Sequence, residues 1–234
     1  MELLDRPVWA SLTTHHAPRS EGGELARRFL PDVNVFASTR DDSPEALNAL
    51  VALMQPGQRA YVLQVPRIAV PPRCVVVKEA GGVQLLATRS LVPEADATGV
   101  EVLRESDAPE MLALATLTEP GPFLTRTHTM GRFIGVRLEG RLAAMAGERM
   151  RFPGFTEVSG VCVHPDFRGR GLARRLSACV AANIEARGDT PFLHSWATNA
   201  AAISLYESLG FRVRADVNVT IMEKPSPDFG RASG

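Results

Sequence analysis

Phe155 to His164 is a mostly apolar run, and beyond it Leu172, Leu176, Cys179, Val180 and Ile184 recur at intervals of three and four. The run predicts a buried strand. The recurrence predicts an amphipathic helix of about four turns, ended by Gly188. Between them Pro165 stops the strand, and Gly169 and Gly171 leave a tight turn into the helix. A helix entered this way presents unpaired backbone N–H groups and the positive end of its dipole, which suits a phosphate or pyrophosphate.

Around this unit the pattern continues. Val100 to Leu103 reads as a strand, and Ser106-Asp107-Ala108-Pro109 starts a helix through Met111, Leu112, Leu114 and Ala115, broken at Glu119-Pro120-Gly121-Pro122. An irregular segment to Met130 follows, then a hairpin of Arg132 to Leu138 and Leu142 to Phe152 about Glu139-Gly140-Arg141. After the long helix come a strand at Phe192 to Ala197, a short helix capped by Asn199 and ended by Gly210, and a last strand from Phe211 to Met222. The order from Val100 is βαβββαβαβ. Upstream, Pro31 to Ala37, Ala60 to Val65, Cys74 to Val77 and Val83 to Ala87 read as strands, the last two as a hairpin turning at Gly81-Gly82. Ser43-Pro44-Glu45 marks a helix start, with Leu47, Leu50, Val51 and Met54 as its apolar face and Gly57 as its end. This divides the chain into an N-terminal α/β lobe at 1–94, a second domain at 98–223 behind a linker at 93–99, and a disordered tail at 224–234.

Composition narrows the function classes. Lys and Arg number 26 and so do Asp and Glu, so no bulk charge draws the chain to nucleic acid or a membrane. No apolar stretch approaches a membrane span and no signal peptide opens the chain. Cys74, Cys162 and Cys179 lack metal or redox spacing, which points to a reduced, cytoplasmic protein. His15-His16 has no partner at ligand spacing, and no metal site is expected. The first lobe carries no chemical motif; completing a substrate cleft, forming a homodimer or being a decayed relative of the second lobe are all open to it.

Arg168-Gly169-Arg170-Gly171-Leu172-Ala173 resembles the Arg/Gln-x-x-Gly-x-Gly/Ala signature of the GNAT superfamily of N-acetyltransferases. Asn199 followed by Leu205-Tyr206-Glu207-Ser208-Leu209-Gly210-Phe211 is similar to that superfamily's second signature. The wording from Gly154 to Phe211, with Pro191-Phe192-Leu193-His194-Ser195-Trp196, is especially similar to the glycine N-acyltransferase-like subgroup. The resemblance spans about residues 98–223 and implies an α/β (α+β) fold: a mixed, mostly antiparallel central sheet flanked by helices. It also implies acetyl-CoA as co-substrate and an amine of a small molecule, amino acid or peptide as acceptor.

On that resemblance the pyrophosphate sits on the N–H groups of Arg168, Gly169, Arg170, Gly171, Leu172 and Ala173, and the pantetheine arm pairs with the backbone of Val161, Cys162 and Val163. Asn199 belongs to the same site, and Tyr206 matches the general acid. Backbone N–H groups near Val163 are available to an oxyanion. Glu157 lies four residues before Val161; without a bulge it shares that strand face and takes the amine proton through water. His128 and His194 are rival bases. Two other readings stay open: transfer from a different acyl-CoA, and a non-catalytic coenzyme A-sensing or protein-interaction module.

Overall fold

The computed structural model describes residues 3–92 and 95–226. Pro93 and Glu94 of the expected linker, and 227–234 of the expected tail, lie outside the described residues. The chain runs α1 (Pro7–Leu12), β1 (Ser20–Gly22), β2 (Ala26–Phe29), β3 (Ala37–Thr39), α2 (Pro44–Leu53), β4 (Arg59–Gln64), β5 (Val75–Ala87) and β6 (Glu101–Val102). It continues through α3 (Ala108–Thr118), β7 (Phe133–Leu138), β8 (Arg141–Phe152), β9 (Phe155–Val163), α4 (Leu172–Glu185), β10 (Thr190–Trp196), α5 (Ala200–Leu209) and β11 (Phe211–Glu223).

Two compact units divide the chain. One comprises Met1–Pro31, Val35–Gly82 and Asp216–Gly234. It holds the antiparallel sheet β1–β2–β3 and the antiparallel pairing of β4 with the end of β11, over a core of Ala26, Leu50, Met54, Val62 and Met222. Ser43 caps α2, its hydroxyl accepting from the Ala46 N–H at 3.3 Å, with Pro44 behind it. The strand expected at Pro31 to Ala37 instead begins at Ala37, and β2 was not foreseen. The reason for the second is chemical. Arg27 and Arg28 stand in mid-strand, Arg28 held by Glu21 at 2.8 Å and Arg27 by the Ser20 hydroxyl at 3.0 Å, so the strand lacks an apolar signature. The hairpin expected at Gly81-Gly82 is likewise corrected: β5 runs straight through both glycines, neither of which takes a positive φ.

The other unit, Asp32–Asn34 with Val83–Ala215, follows the predicted βαβββαβαβ order. Its strands stand as β11–β5–β10–β9–β8–β7–β6, antiparallel from β6 to β9, with β10 joining β9 in parallel. Glu139 and Gly140, at φ 53° and 75°, make the tight β7–β8 turn. α4 buries Leu172, Leu176, Val180 and Ile184 against Ala144, Ala146 and Val158 on one face of the sheet. On the other face α3 buries Met111, Leu114 and Ala115 with Met145 and Cys162. Central β8 is therefore buried on both faces, and small residues, Ala143, Ala144, Ala146 and Gly147, let both helices approach.

Phe133 depends on one of these small residues. A Cβ at Gly147 would lie 2.3 Å from its ring. Gly147→Ala is expected to lower unfolding free energy by about 1–3 kcal/mol through overpacking, read as a lower urea midpoint at unchanged m.

Candidate functional site

β10 pairs with β9 only from Thr190↔Phe155 to Phe192↔Glu157. Both strands run on, to Val163 and Trp196, but they no longer pair. From Val158 onward β9 keeps β8 on one side and faces a gap on the other. That gap is a cleft of about 420 Å³, within the size range of small-molecule sites. It brings together Val161, Cys162, Val163, Arg168, Gly169, Arg170, Gly171, Leu172 and Ala173, and adds Thr118, Phe167, Arg174 and Leu205.

Two bulges shape β9's surroundings. Between Met145↔Cys162 and Gly147↔Ser159 the β9 side carries Gly160 and Val161 against Ala146 alone, with Gly160 at φ +61°. The extra residue flips the side-chain alternation, so Val158 and Val161 both join the α4 core. This corrects the expectation for Glu157, which shares its face with Ser159 and Cys162 rather than with Val161. Between Glu148↔Val158 and Arg151↔Thr156 the surplus lies on β8, where Arg149 and Met150 both oppose Glu157.

Glu157 is fully buried. Arg149 grips it with Nε at 2.7 Å and Nη2 at 2.6 Å, and His194 Nδ1 lies 2.7 Å from Oε1. Burial alone would raise its pKa, but the adjoining guanidinium and these hydrogen bonds outweigh that and hold it below the usual carboxylate range. Past His194 the row continues. Gln84 Nε2 stands 3.1 Å from His194 Nε2, and Arg214 donates to Gln84 Oε1 at 3.1 Å. Because Arg214 claims the Gln84 oxygen, Gln84 donates to His194, which in turn donates through Nδ1 to Glu157. One polar row thus crosses β11, β5, β10, β9 and β8. Glu157, stabilised as an anion with both oxygens engaged, is a weak proton acceptor.

At the other end of the cleft the turn is held locally: the Asp166 N–H donates to His164 Nδ1 at 3.2 Å and the Arg168 N–H to Pro165 O at 3.3 Å. Gly169 and Gly171 take φ +76° and +71°, and a Cβ on either would meet nothing within 4 Å, because both face the open cleft. Gly171 caps α4 with no side chain, and Arg175 N–H to Gly171 O at 3.0 Å closes the first helical turn. The N–H groups of Leu172 and Ala173 precede that bond and have no acceptor within the helix. A cradle of this kind fits a pyrophosphate, and an extended pantetheine arm fits the open edge of β9.

The remaining candidates stand apart from the lining. Asn199 caps α5, its Oδ1 accepting from the Ala202 N–H at 3.1 Å. Tyr206 packs edge-on against Phe211, ring centroids 6.0 Å apart, while its neighbour Leu205 faces the cleft. Burial pushes the Tyr206 phenol up to about 12. It likewise pushes the Cys162 thiol up to about 11, which makes it a poor nucleophile. His128 Nε2 pairs with Glu105 at 2.7 Å. Among the described residues no His, Cys, Asp and Glu cluster could hold a metal, and no helix is long and apolar enough to cross a membrane. Arg149 escaped the sequence reading because counting back from the Phe152↔Phe155 turn pairs Met150 alone with Glu157; the β8 bulge brings Arg149 there as well.

Comparison with known proteins adds a lineage. Residues 133–220 match the family described as FR47-like protein. The [ribosomal protein bS18]-alanine N-acetyltransferase of Salmonella typhimurium is 33% identical over 118 residues, covering 48% of this chain and 79% of that protein. Its Escherichia coli K12 counterpart is 31% identical over the same span. A crystal structure of a protein from Novosphingobium aromaticivorans, assigned to the GNAT acetyltransferases, superposes with TM-score 0.90 at 44% identity, covering 97% of this chain and all of that one. A GCN5-related N-acetyltransferase from Kribbella flavida shares the fold, with TM-score 0.65 at 19% identity over 98% of each chain. These relatives correct the expected subgroup: the similarity runs to ribosomal-protein alanine acetyltransferases, not to glycine N-acyltransferases. The wording from Gly154 to Phe211 builds the fork, the turn and α5.

The buried pair has a pH signature. Glu157 titrates lower in the folded chain than its unfolded value of about 4.3, so the unfolded state binds the extra proton between the two. Its stabilisation is complete above that unfolded value and is lost as pH falls toward the folded one. Glu157→Gln is expected to flatten that limb of the stability curve and to cost about 3–5 kcal/mol at neutral pH by stranding Arg149, both read by urea unfolding across pH.

Proposed function

This chain belongs to the GNAT family of acetyl-CoA-dependent acetyltransferases, and from that premise we propose that its acceptor is the α-amine at the N-terminus of a peptide or protein. The observation that carries the reading is the fork between β9 and β10, an open strand edge leading to an uncapped helix N-terminus. When bound, coenzyme A supplies the acyl thioester and a thiolate leaving group. The backbone N–H groups from Gly169 to Ala173 receive its phosphates, with the Arg168 side chain beside them. Val161 to Val163 pair with the pantetheine amides. The bulge turns backbone N–H out of the β8–β9 ladder, where it serves a developing oxyanion.

The acceptor class follows from what the site offers as a base. With Glu157 committed to Arg149 and His194, it acts as a positioning residue, and the amine must arrive largely neutral. An α-amine has a pKa of about 7.7–8.0 and a lysine amine about 10.4, so near pH 8 about half of the former but under about 1% of the latter is neutral. The names of the relatives, which act on an alanine amine, support the same class. Tyr206, which matches the family's second signature and follows the cleft-lining Leu205, is taken as the donor to the departing sulfur. Its raised pKa keeps the phenol protonated, and because a thiol pKa is about 8.5, its part is a hydrogen bond to the thiolate rather than complete proton transfer.

With acetyl-CoA and a peptide bearing a free N-terminal alanine, thiol release should saturate in both substrates, and kcat/KM should rise to a plateau near pH 8, tracking the acceptor's own amine. A preference for lysine side chains, with a break near pH 10, would overturn the reading. Tyr206→Phe should lower kcat about 10²-fold with little change in KM for acetyl-CoA, measured in the same assay.

A further inference from the structure

Two cavities are lined by successive residues of β9 on either side of its bulge. The cleft is lined along β9 by Val161, Cys162 and Val163 and reaches Thr118 at the end of α3. A second recess is lined by the next residues back along β9, Ser159 and Gly160, by Pro122 and Phe123 just after α3, and by Phe133 and Arg149, the last already held by Glu157. It therefore lies further back along β9 from the helix cradle than the cleft does. At about 10 Å³ it has the room of one water-sized group. Its back wall is fixed. Phe133 is 3% exposed, and a Cβ at Gly147 or Gly160 would lie 2.3 or 2.9 Å from its ring. Phe123 meets Phe133 edge to face, centroids 5.6 Å apart and planes at 86°, and is itself only half-buried.

We propose that the Phe123–Phe133 pair is the size filter for the acceptor residue that carries the amine, admitting glycine, alanine or serine and excluding leucine and larger side chains. The inference rests on the N-terminal reading above and adds the residues that enforce it. An amine attacking at the bulge end of the cleft puts its own Cα beside Gly160 and its side chain toward the recess. A methyl group fills the space available there. A leucine side chain has to displace Phe123, because Phe133 is seated against backbone and has nowhere to move.

The test uses the full chain, acetyl-CoA and two peptides that differ only in a first residue of alanine or leucine. The wild type should favour alanine by about 10²-fold in kcat/KM, and Phe123→Ala should shrink that ratio about tenfold or more by raising the leucine value. Phe123→Leu, a milder truncation, should fall between them and carries the test if Phe123→Ala does not fold. An unchanged ratio in a variant that melts as the wild type does would overturn the filter. So would a gain with propionyl- or butyryl-CoA on the alanine peptide in place of the gain with leucine, since the recess would then seat the acyl chain. Turnover of N-terminal peptides without size selection overturns the filter alone; no turnover with any of them overturns the N-terminal reading and the filter with it.

Discussion

The site depends on how a strand pair is made to part. Parallel strands zip as far as their backbones allow, and leaving a ladder half-formed exposes N–H and C=O groups that need partners. Here the last rung is Phe192↔Glu157, and Glu157 is where Arg149 from one side and His194 from the other converge. The ion pair sits in the crotch of the fork. Its contribution is less net stability, since a buried pair offsets much of its own desolvation, than position. It fastens β8, β9 and β10 at one point, so that beyond it β9 can follow β8 while β10 leaves.

With the fork held, the binding proposed above falls mainly to the backbone. The open edge of β9 and the first N–H groups of α4 make an acceptor-and-donor track that needs no particular side chain. That is compatible with a chain whose acidic and basic residues balance at 26 each, because the positive potential comes from a helix terminus and not from an excess of basic residues. The arginines near the turn are themselves engaged: Arg170 lies over Phe167 at 5.3 Å and Arg174 donates to the Ser208 hydroxyl at 2.5 Å.

The donor half was legible in the sequence because its elements announce themselves by period and punctuation. Leu172, Leu176, Val180 and Ile184 repeat as a helix must, and Gly169 and Gly171 mark the turn, where both take positive φ. What the chain hides are the events that break a period by one residue. Gly160 inside an apolar strand is a signal for a bulge, but its effect on Glu157 and Val161 shows only when the partner strand is aligned. The Arg149–Glu157 contact was hidden for the same reason, by a bulge on the opposite strand. In the first unit, Arg27 and Arg28 masked β2 because their charges are answered by Glu21 and by local acceptors that lie elsewhere in the chain.

The bulge at Gly160 also sets what kinds of heritable change this region tolerates. If, as proposed, Val161 to Val163 serve the ligand through their main chain, exchanges among small apolar residues there leave the track intact, and the stretch is free to drift in sequence. A deletion of one codon between Ser159 and Cys162 is another matter. It would restore regular alternation, turn the valines to the opposite face and return the bulged backbone to the ladder, giving a well-paired sheet with no reactive end. For this strand, sequence length is under tighter constraint than sequence identity.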